Sequence, residues 1–235
     1  MNIISKNIPN LLTCLNLIIG LISISFSFQG NLVFGTILIF SGLFIDFFDG
    51  FFARLLNAYS EFGKQLDSLA DLVTFGIAPS IIVHQLIHHK IFNEYILENL
   101  NTNFSVAYFA FIFPVFGAIR LAKFNLDNEQ QENFIGLPIP AAGIFLASLS
   151  FYDEKILTTS ILLLCLFTLS ILLVSKISLF SLKLKKHEQK TSRINYFRII
   201  LIISSLILFF FFNFVSIPII ILIYITLSLT HNLTK

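Results

Sequence analysis

The chain has 235 residues, of which 56% are hydrophobic and only 12% are charged, and its formal net charge is +2 at pH 7. Soluble proteins carry about 25% charged residues, so this composition excludes a soluble globular protein and indicates a membrane protein. The 29 Phe residues are spread over every apolar segment, and we therefore attribute them to base-composition bias and not to an aromatic binding site.

Eight apolar segments of helical length follow one another along the chain. They cover roughly residues 9–28, 31–56, 65–88, 104–123, 137–152, 156–176, 194–213 and 215–231. The fifth is short and begins with two prolines, which suit the first turn of a helix. The sequence therefore predicts an all-α fold, a polytopic membrane helix bundle of about eight transmembrane helices in a single membrane domain, residues 1–235. No signal-peptide cleavage site follows the first segment, so we expect that segment to be a membrane helix.

The basic residues give this bundle an orientation. With the N-terminus in the cytoplasm, thirteen of the 15 Lys and Arg residues fall on the inner side, and only Lys90 and Lys155 fall outside. Cytoplasmic loops of membrane proteins carry such an excess. We therefore predict that both termini are cytoplasmic, that residues 175–193 form a basic cytoplasmic loop, and that residues 194–231 form a C-terminal helix pair.

Four aspartates lie in or beside the second and third predicted helices. Asp46 and Asp49 share one helix face with Gly50 and Ala53, at spacings of three, four and seven residues. On the next helix, one face carries the following three residues: Gly63, Asp67 and Asp71. Carboxylates in a membrane helix are costly and normally face a polar cavity. Four of them repel one another in a low dielectric, and one or two divalent cations would remove that repulsion.

Histidines and cysteines offer a weaker case for a site. His84 and His88 share a helix face, a spacing that can bind metal, but they and His89 fall near the membrane surface opposite to the aspartates. We therefore assign them no metal. Cys14 and Cys165 lie in separate apolar segments, and we interpret them as inert core thiols and not as a disulfide.

The aspartate pattern resembles the motif of a known family. The spacing Asp46-x2-Asp49-Gly50-x2-Ala53-Arg54-x8-Gly63-x3-Asp67-x3-Asp71 is similar to that of the CDP-alcohol phosphatidyltransferases. Residues 62–71, 75–79, 120–125 and 134–142, together with the opening 9–13, resemble the integral-membrane bacterial phosphatidylserine synthases. The resemblance covers residues 8–145, which we take as the catalytic core. Lys123 stands where these relatives often have Arg, which keeps the charge but loses the bidentate fork.

This resemblance implies transfer of the phosphatidyl group of CDP-diacylglycerol to L-serine, giving phosphatidylserine and CMP, with Mg²⁺ or Mn²⁺ as cofactor, two ions in all. The implied metal ligands are Asp46, Asp49, Asp67 and Asp71, and Asp71 is also the implied general base. The residues implied to bind CDP-diacylglycerol are Asn10, Thr13, Gly50, Ala53, Arg54 and Gly63. Arg120 and Lys123 are the implied ligands of serine or phosphate. The implied location is the inner cell membrane, with the site facing the cytoplasm.

Several interpretations remain open at this point. The small residues Gly50, Ala53 and Gly63 are also typical of helix packing in membranes, and Arg54 and Lys64 are also typical of surface anchors. A sister transferase acting on glycerol 3-phosphate, inositol or another alcohol shares the aspartates, and a cation transporter would use them as an ion path. The partners that we expect are the two substrates and membrane lipid, with no nucleic acid, and a homodimer is compatible with the sequence.

Overall fold

The computed structural model describes residues 3–97, 105–126, 134–153, 155–180 and 193–233, and it confirms the predicted helical fold. The helices are α1 (Ile3–Phe28), α2 (Leu32–Leu55), α3 (Glu61–Asp71), α4 (Ala78–Phe92), α5 (Ile112–Leu126), α6 (Ile139–Ser148), α7 (Thr159–Val174), α8 (Arg193–Phe212) and α9 (Ile217–Leu233). A π-helix, Leu72–Ile77, joins α3 to α4, and short 3₁₀ turns precede α5, follow α6 and join α8 to α9.

Each predicted apolar segment corresponds to a helix of the structure. Within the described residues, five helical stretches are long and apolar enough to cross a membrane, namely Asn7–Phe28, Leu32–Leu55, Glu61–Phe92, Val106–Leu126 and Ile194–Asn232. Two shorter apolar helices are Ile139–Phe151 and Thr159–Val174. The last long stretch contains α8 and α9, which pack against each other on either side of Asn213, whose φ is 48°. The chain is thus a polytopic helical membrane protein.

Helices α1 and α2 form a closely packed hairpin. Gly30, with a φ of 81°, allows the tight turn, and the Asn31 side chain caps α2 by accepting a hydrogen bond from the Phe34 N–H (3.3 Å). The Ser23 hydroxyl donates to the Gly35 carbonyl across the pair (2.8 Å). Gly35 allows this close approach, because a Cβ there would lie 2.5 Å from Ser27 Oγ. The polar face of α1 thus lies against α2, the helix that carries Asp46 and Asp49.

Helix α3 begins four residues earlier than the apolar pattern indicates. Ser60 caps it by accepting a hydrogen bond from the Gly63 N–H (2.9 Å). Its first turn, Glu61–Lys64, has a charged residue at each end, so an estimate from hydropathy omits it although the helix includes it. The helical run then continues through the π-helix into α4, whose residues 78–88 are all buried. This buried helix forms much of the core and packs against α1, α2 and α6.

A pair of two-residue strands links the ends of α6 and α7. β1 (Phe134–Ile135) pairs antiparallel with β2 (Ser178–Leu179) and joins the segment before α6 to the segment after α7. Part of the predicted basic loop, residues 181–192, lies outside the described residues. So do residues 98–104 on the predicted outer side and residues 127–133 after α5.

Candidate metal centre and adjoining cavity

Three of the predicted aspartates meet between α2 and α3. Asp46 and Asp49 extend from α2 and Asp67 from α3, and each offers a carboxylate oxygen within 4.8 Å of the other two. Asp49 is buried, while Asp46 and Asp67 are half-buried. Among the described residues, this is the one group of three or more side chains with suitable donor atoms for a metal ion. The spacing of the aspartates thus predicted two helices, α2 and α3, whose carboxylates lie close together in the structure.

The geometry of this triad fits a divalent cation. Mg²⁺ and Ca²⁺ bind oxygen ligands at about 2.0 to 2.6 Å, so ligands on opposite sides of one ion lie about 4 to 5 Å apart. The separation of 4.8 Å or less in the triad lies within that range. Carboxylate oxygens are also the donors that these hard cations prefer. The acidic triad is thus able to hold a metal ion.

The fourth aspartate lies at the edge of the triad. The carboxyl of Asp71 is within hydrogen-bonding reach of Asp46. Its Oδ1 is buried, with no hydrogen-bond partner among the described residues. Asp71 is not a member of the compact group of three. Asp71 therefore lies beside the triad and has a buried acceptor atom with no donor among the described residues.

Helix α1 orients two of these carboxylates. The Thr13 hydroxyl lies 2.7 Å from Asp49 Oδ2 and 3.0 Å from the Pro9 carbonyl oxygen. Asn16 Nδ2 donates to Asp46 Oδ1 (3.4 Å), and the Asn16 carbonyl accepts from the Thr74 hydroxyl (3.0 Å). Thr13 was predicted as a site residue, but Asn16 was missed. Asn16 follows Asn10 and Thr13 at a spacing of three residues, so a polar stripe on an apolar helix would have identified it.

A cavity of about 500 Å³ opens beside the triad. Its walls are Pro9, Asn10, Thr13, Asp49, Gly50, Ala53, Ala58, Tyr59, Ser60, Glu61, Gly63, Lys64 and Asp67. Five of the six residues predicted to bind the nucleotide lipid are in this set. The exception is Arg54, an exposed residue whose Nη1 lies 3.8 Å from where a Cβ at Gly50 would be. The segment 58–61 was not predicted, because a short loop carries no helical pattern that would place it over the cavity.

The predicted acceptor-binding residues on α5 have different positions. Arg120 is half-buried, and its guanidinium lies close enough to Asp71 for electrostatic attraction. Lys123 is exposed. Further along α5, the Asn125 carbonyl accepts from Lys64 Nζ (3.2 Å), and its side-chain Nδ2 donates to Ser68 Oγ (2.9 Å). A polar layer therefore joins α3 and α5 next to the aspartates.

The histidines lie in a different environment. The His84 ring stacks on Phe111 with ring centroids 5.2 Å apart, and His88 Nδ1 lies 2.9 Å from the Glu94 carbonyl oxygen. Both rings are buried on α4. Cys14 and Cys165 are half-buried free thiols.

A family model described as CDP-alcohol phosphatidyltransferase matches residues 6–171, most of the chain. The chain belongs to the CDP-alcohol phosphatidyltransferase family. The family predicted from the aspartate spacing is thus confirmed. The matched region includes the triad and every cavity-lining residue, and it ends within α7, before α8 and α9.

Curated relatives within this family have closely related names. The chain is 40% identical over 170 residues to a CDP-diacylglycerol–serine O-phosphatidyltransferase of Bacillus subtilis, covering 72% of this chain and 88% of the relative. It is 38% identical over 149 residues to the Helicobacter pylori (strain J99) protein of the same name, covering 63% and 58%. It is 32% identical over 152 residues to an archaetidylserine synthase of Methanothermobacter thermautotrophicus, covering 63% and 60%. The chain thus spans less than two thirds of the length of the last two relatives.

Proposed function

We propose that this chain transfers the phosphatidyl group of CDP-diacylglycerol to the hydroxyl of L-serine, releasing CMP. The observation that carries the proposal is the acidic triad beside a 500 Å³ cavity in a chain of this family. The names of the relatives favour serine as the acceptor.

The cavity suits the nucleotide end of the lipid. Gly50 and Ala53 line it beside Asp49, and their small side chains leave room for a ligand against α2. At Gly63 a Cβ would lie 2.9 Å from Asn10 Oδ1, so a larger residue there would displace Asn10 from the cavity wall. We assign Asn10, Thr13, Gly50, Ala53 and Gly63 to the nucleotide. Arg54 at the exposed edge would attract the diphosphate.

The four aspartates would hold the cofactor, Mg²⁺ or Mn²⁺, as two ions. When bound, these cations offset the charge of the diphosphate and stabilise the negative charge that develops on the phosphoryl oxygens. The triad would supply the central ligands, and Asp71, which lies beside Asp46, would join them. Thr13 and Asn16 fix the orientation of two ligands, as outer partners of metal ligands commonly do.

The acceptor would bind between α3 and α5. Asp71 has a buried oxygen without a partner, and it would take the proton of the serine hydroxyl as general base. Arg120 lies beside Asp71 and would bind the serine carboxylate, for which a guanidinium is well suited. Lys123, which is exposed, would act at longer range by attracting the negatively charged groups of the substrates.

The proposed location is the inner cell membrane, with the cavity open to the cytoplasm. Thirteen of the 15 basic residues fall on that side, in agreement with the bias of cytoplasmic loops, and the CTP-derived substrate and serine are available there. Membrane lipid would surround the bundle, and a homodimer is compatible with this arrangement. Residues 8–145 would form the catalytic core of a single membrane domain, with 175–193 as a basic cytoplasmic loop and 194–231 as a helix pair.

The test is an acceptor panel with purified protein. The protein is incubated with CDP-diacylglycerol, Mg²⁺ or Mn²⁺, and labelled L-serine, glycerol 3-phosphate or inositol, and the lipid products are separated. We expect labelled phosphatidylserine only, and only when metal is present. If the lipid product forms from glycerol 3-phosphate or inositol and not from serine, serine is not the acceptor. Equal activity in the presence of a chelator would refute the metal assignment.

A further inference from the structure

We propose that Asn125 determines the specificity for an amino-acid acceptor, because its side-chain oxygen accepts a hydrogen bond from the α-ammonium group of that acceptor. This inference rests on the proposed function and deepens it. It concerns a residue that the aspartate motif does not contain, at the cytoplasmic end of α5 as the proposed topology places it.

The side-chain amide of Asn125 is held in one orientation. Its Nδ2 donates to Gln65 Oε1 (3.2 Å) and to Ser68 Oγ (2.9 Å), which uses both of its hydrogens. Ser68 donates its own hydrogen to the Lys64 carbonyl (3.2 Å), so its oxygen is available to accept from Asn125. This orientation agrees with Ser68, whose hydrogen is donated to the Lys64 carbonyl and whose oxygen accepts from Asn125.

The fixed orientation leaves an acceptor without a donor. Asn125 Oδ1 is buried and has no hydrogen-bond partner within the described part of the chain. Leaving a buried polar atom unpaired is costly, so an unpaired buried atom calls for an explanation, and a bound group would supply one. A cationic donor such as an ammonium group makes the stronger, charge-assisted bond with this oxygen.

Two more buried atoms that have no partner among the described residues lie on the same two helices. They are Asp71 Oδ1 on α3 and Arg120 Nε on α5, and their side chains attract each other. Ser68, which contacts Asn125, precedes Asp71 by three residues, a rise of about 4.5 Å along a helix. The side chains that carry the three atoms therefore lie along one interface between α3 and α5.

These atoms match the groups of a free amino acid that carries a hydroxyl. Arg120 offers a donor to the carboxylate, Asp71 offers an acceptor to the hydroxyl, and Asn125 offers an acceptor to the ammonium. Glycerol 3-phosphate can offer Asn125 only a neutral hydroxyl, whereas serine offers a cationic ammonium group, whose charge-assisted hydrogen bond is stronger. The Asn125 oxygen would therefore favour serine over glycerol 3-phosphate.

The experiment measures the acceptor kinetics of Asn125→Leu, Asn125→Asp and Ser68→Ala in the purified full chain. Leu has nearly the shape of Asn but accepts no hydrogen bond, so we expect KM for L-serine to rise about 10- to 100-fold, with KM for CDP-diacylglycerol unchanged. Asn125→Asp keeps an acceptor oxygen and should retain a low KM for serine. Ser68→Ala frees the amide to turn and should raise that KM less than Asn125→Leu does.

A serine analogue and a control variant separate this role from a structural one. 3-Hydroxypropanoate has the carboxylate and hydroxyl of serine but no ammonium, so its competitive inhibition of the wild-type protein should persist in Asn125→Leu. Asn232→Leu, the same substitution at the end of α9, should leave KM for serine unchanged. An unchanged KM for serine in Asn125→Leu would overturn the inference, as would equal losses for serine and the analogue. If the wild-type protein uses no amino acid at all, the proposed function itself fails.

Discussion

The side chains of α1 that contact the aspartates determine how rigid the acidic triad is. Thr13 places a hydroxyl hydrogen against Asp49 at 2.7 Å, although α1 contributes no metal ligand itself. We expect Thr13→Val to weaken metal-dependent activity about 10-fold, a typical effect of losing an outer partner, because the carboxylate is then free to rotate. Thr13→Ser keeps the hydroxyl and should retain most of the activity. The measurement is a Mn²⁺ titration of turnover, and equal titration midpoints for the two variants would contradict this role.

Asp49 and Asp67 are expected to be required for turnover. Asp49→Asn and Asp67→Asn keep the shape of the side chain but remove a negative ligand, so activity should fall by more than about 100-fold, beyond the typical effect of an outer partner. Insertion into the membrane should persist, because removing a charge makes a helix easier to insert. The assay is phosphatidylserine formation at low metal concentration. Asp153→Asn, in the loop after α6, serves as the control, and wild-type activity of either triad variant would refute the metal assignment.

Asp71 is expected to act on the acceptor more than on the nucleotide. Loss of a general base slows chemistry by roughly 10²- to 10⁴-fold, so Asp71→Asn should lose phosphatidylserine formation to that extent. Its metal-dependent binding of CDP-diacylglycerol should remain, because the compact triad does not include Asp71. Binding of the lipid and turnover are measured on the same preparation. Parallel loss of both would show that Asp71 is chiefly a metal ligand.

At the scale of elements, the packing of α6 against the π-helix depends on Gly143. A Cβ at this position would overlap the Phe75 carbonyl, and backbone atoms of a buried helix have little room to move. We expect Gly143→Ala to lower the free energy of unfolding by about 1 to 3 kcal/mol, as overpacking does, measured by thermal unfolding in detergent. Gly50→Ala is the matched control, because the nearest atom to its Cβ would be Arg54 Nη1 at 3.8 Å. A stable Gly143→Ala protein would refute the close packing.

The helices were predictable from sequence, but their irregular parts were not. Spacing placed Asp46 and Asp49 on one face because a regular helix repeats its faces every 3.6 residues. The π-helix at Leu72–Ile77 depends on how α3 and α4 pack against their neighbours, and a local pattern carries no such information. The start of α3 at Glu61 depends on the Ser60 cap, which a hydropathy estimate does not include. The hydrogen bond from Asn125 to Ser68 likewise could not be predicted, because it depends on how α3 and α5 align along each other.

At the scale of the whole molecule, the proposed topology places the α2–α3 loop in the cytoplasm. Tyr59 lies in this loop and is 71% exposed, so Tyr59→Cys, in a background lacking Cys14 and Cys165, offers one accessible thiol. A membrane-impermeant thiol reagent should label it only after the membrane is opened. A matched variant, Lys155→Cys on the predicted outer side, should be labelled in intact cells. Labelling of Tyr59→Cys in intact cells would reverse the orientation given by the basic residues.

Helix α2 contacts both the reaction site and the surrounding bilayer, and this determines how CDP-diacylglycerol reaches the enzyme. Asp46 and Asp49 belong to the triad and Asp49 lines the cavity, while Phe44 and Phe47 are more than 60% exposed along a stretch that can cross a membrane. In the proposed reaction both the lipid substrate and the lipid product therefore remain dissolved in the bilayer around this helix. The enzyme then responds to the mole fraction of CDP-diacylglycerol among its neighbouring lipids and not to an amount per volume of solution. Diluting that lipid with inert phospholipid slows turnover even when the total quantity in the vessel stays the same.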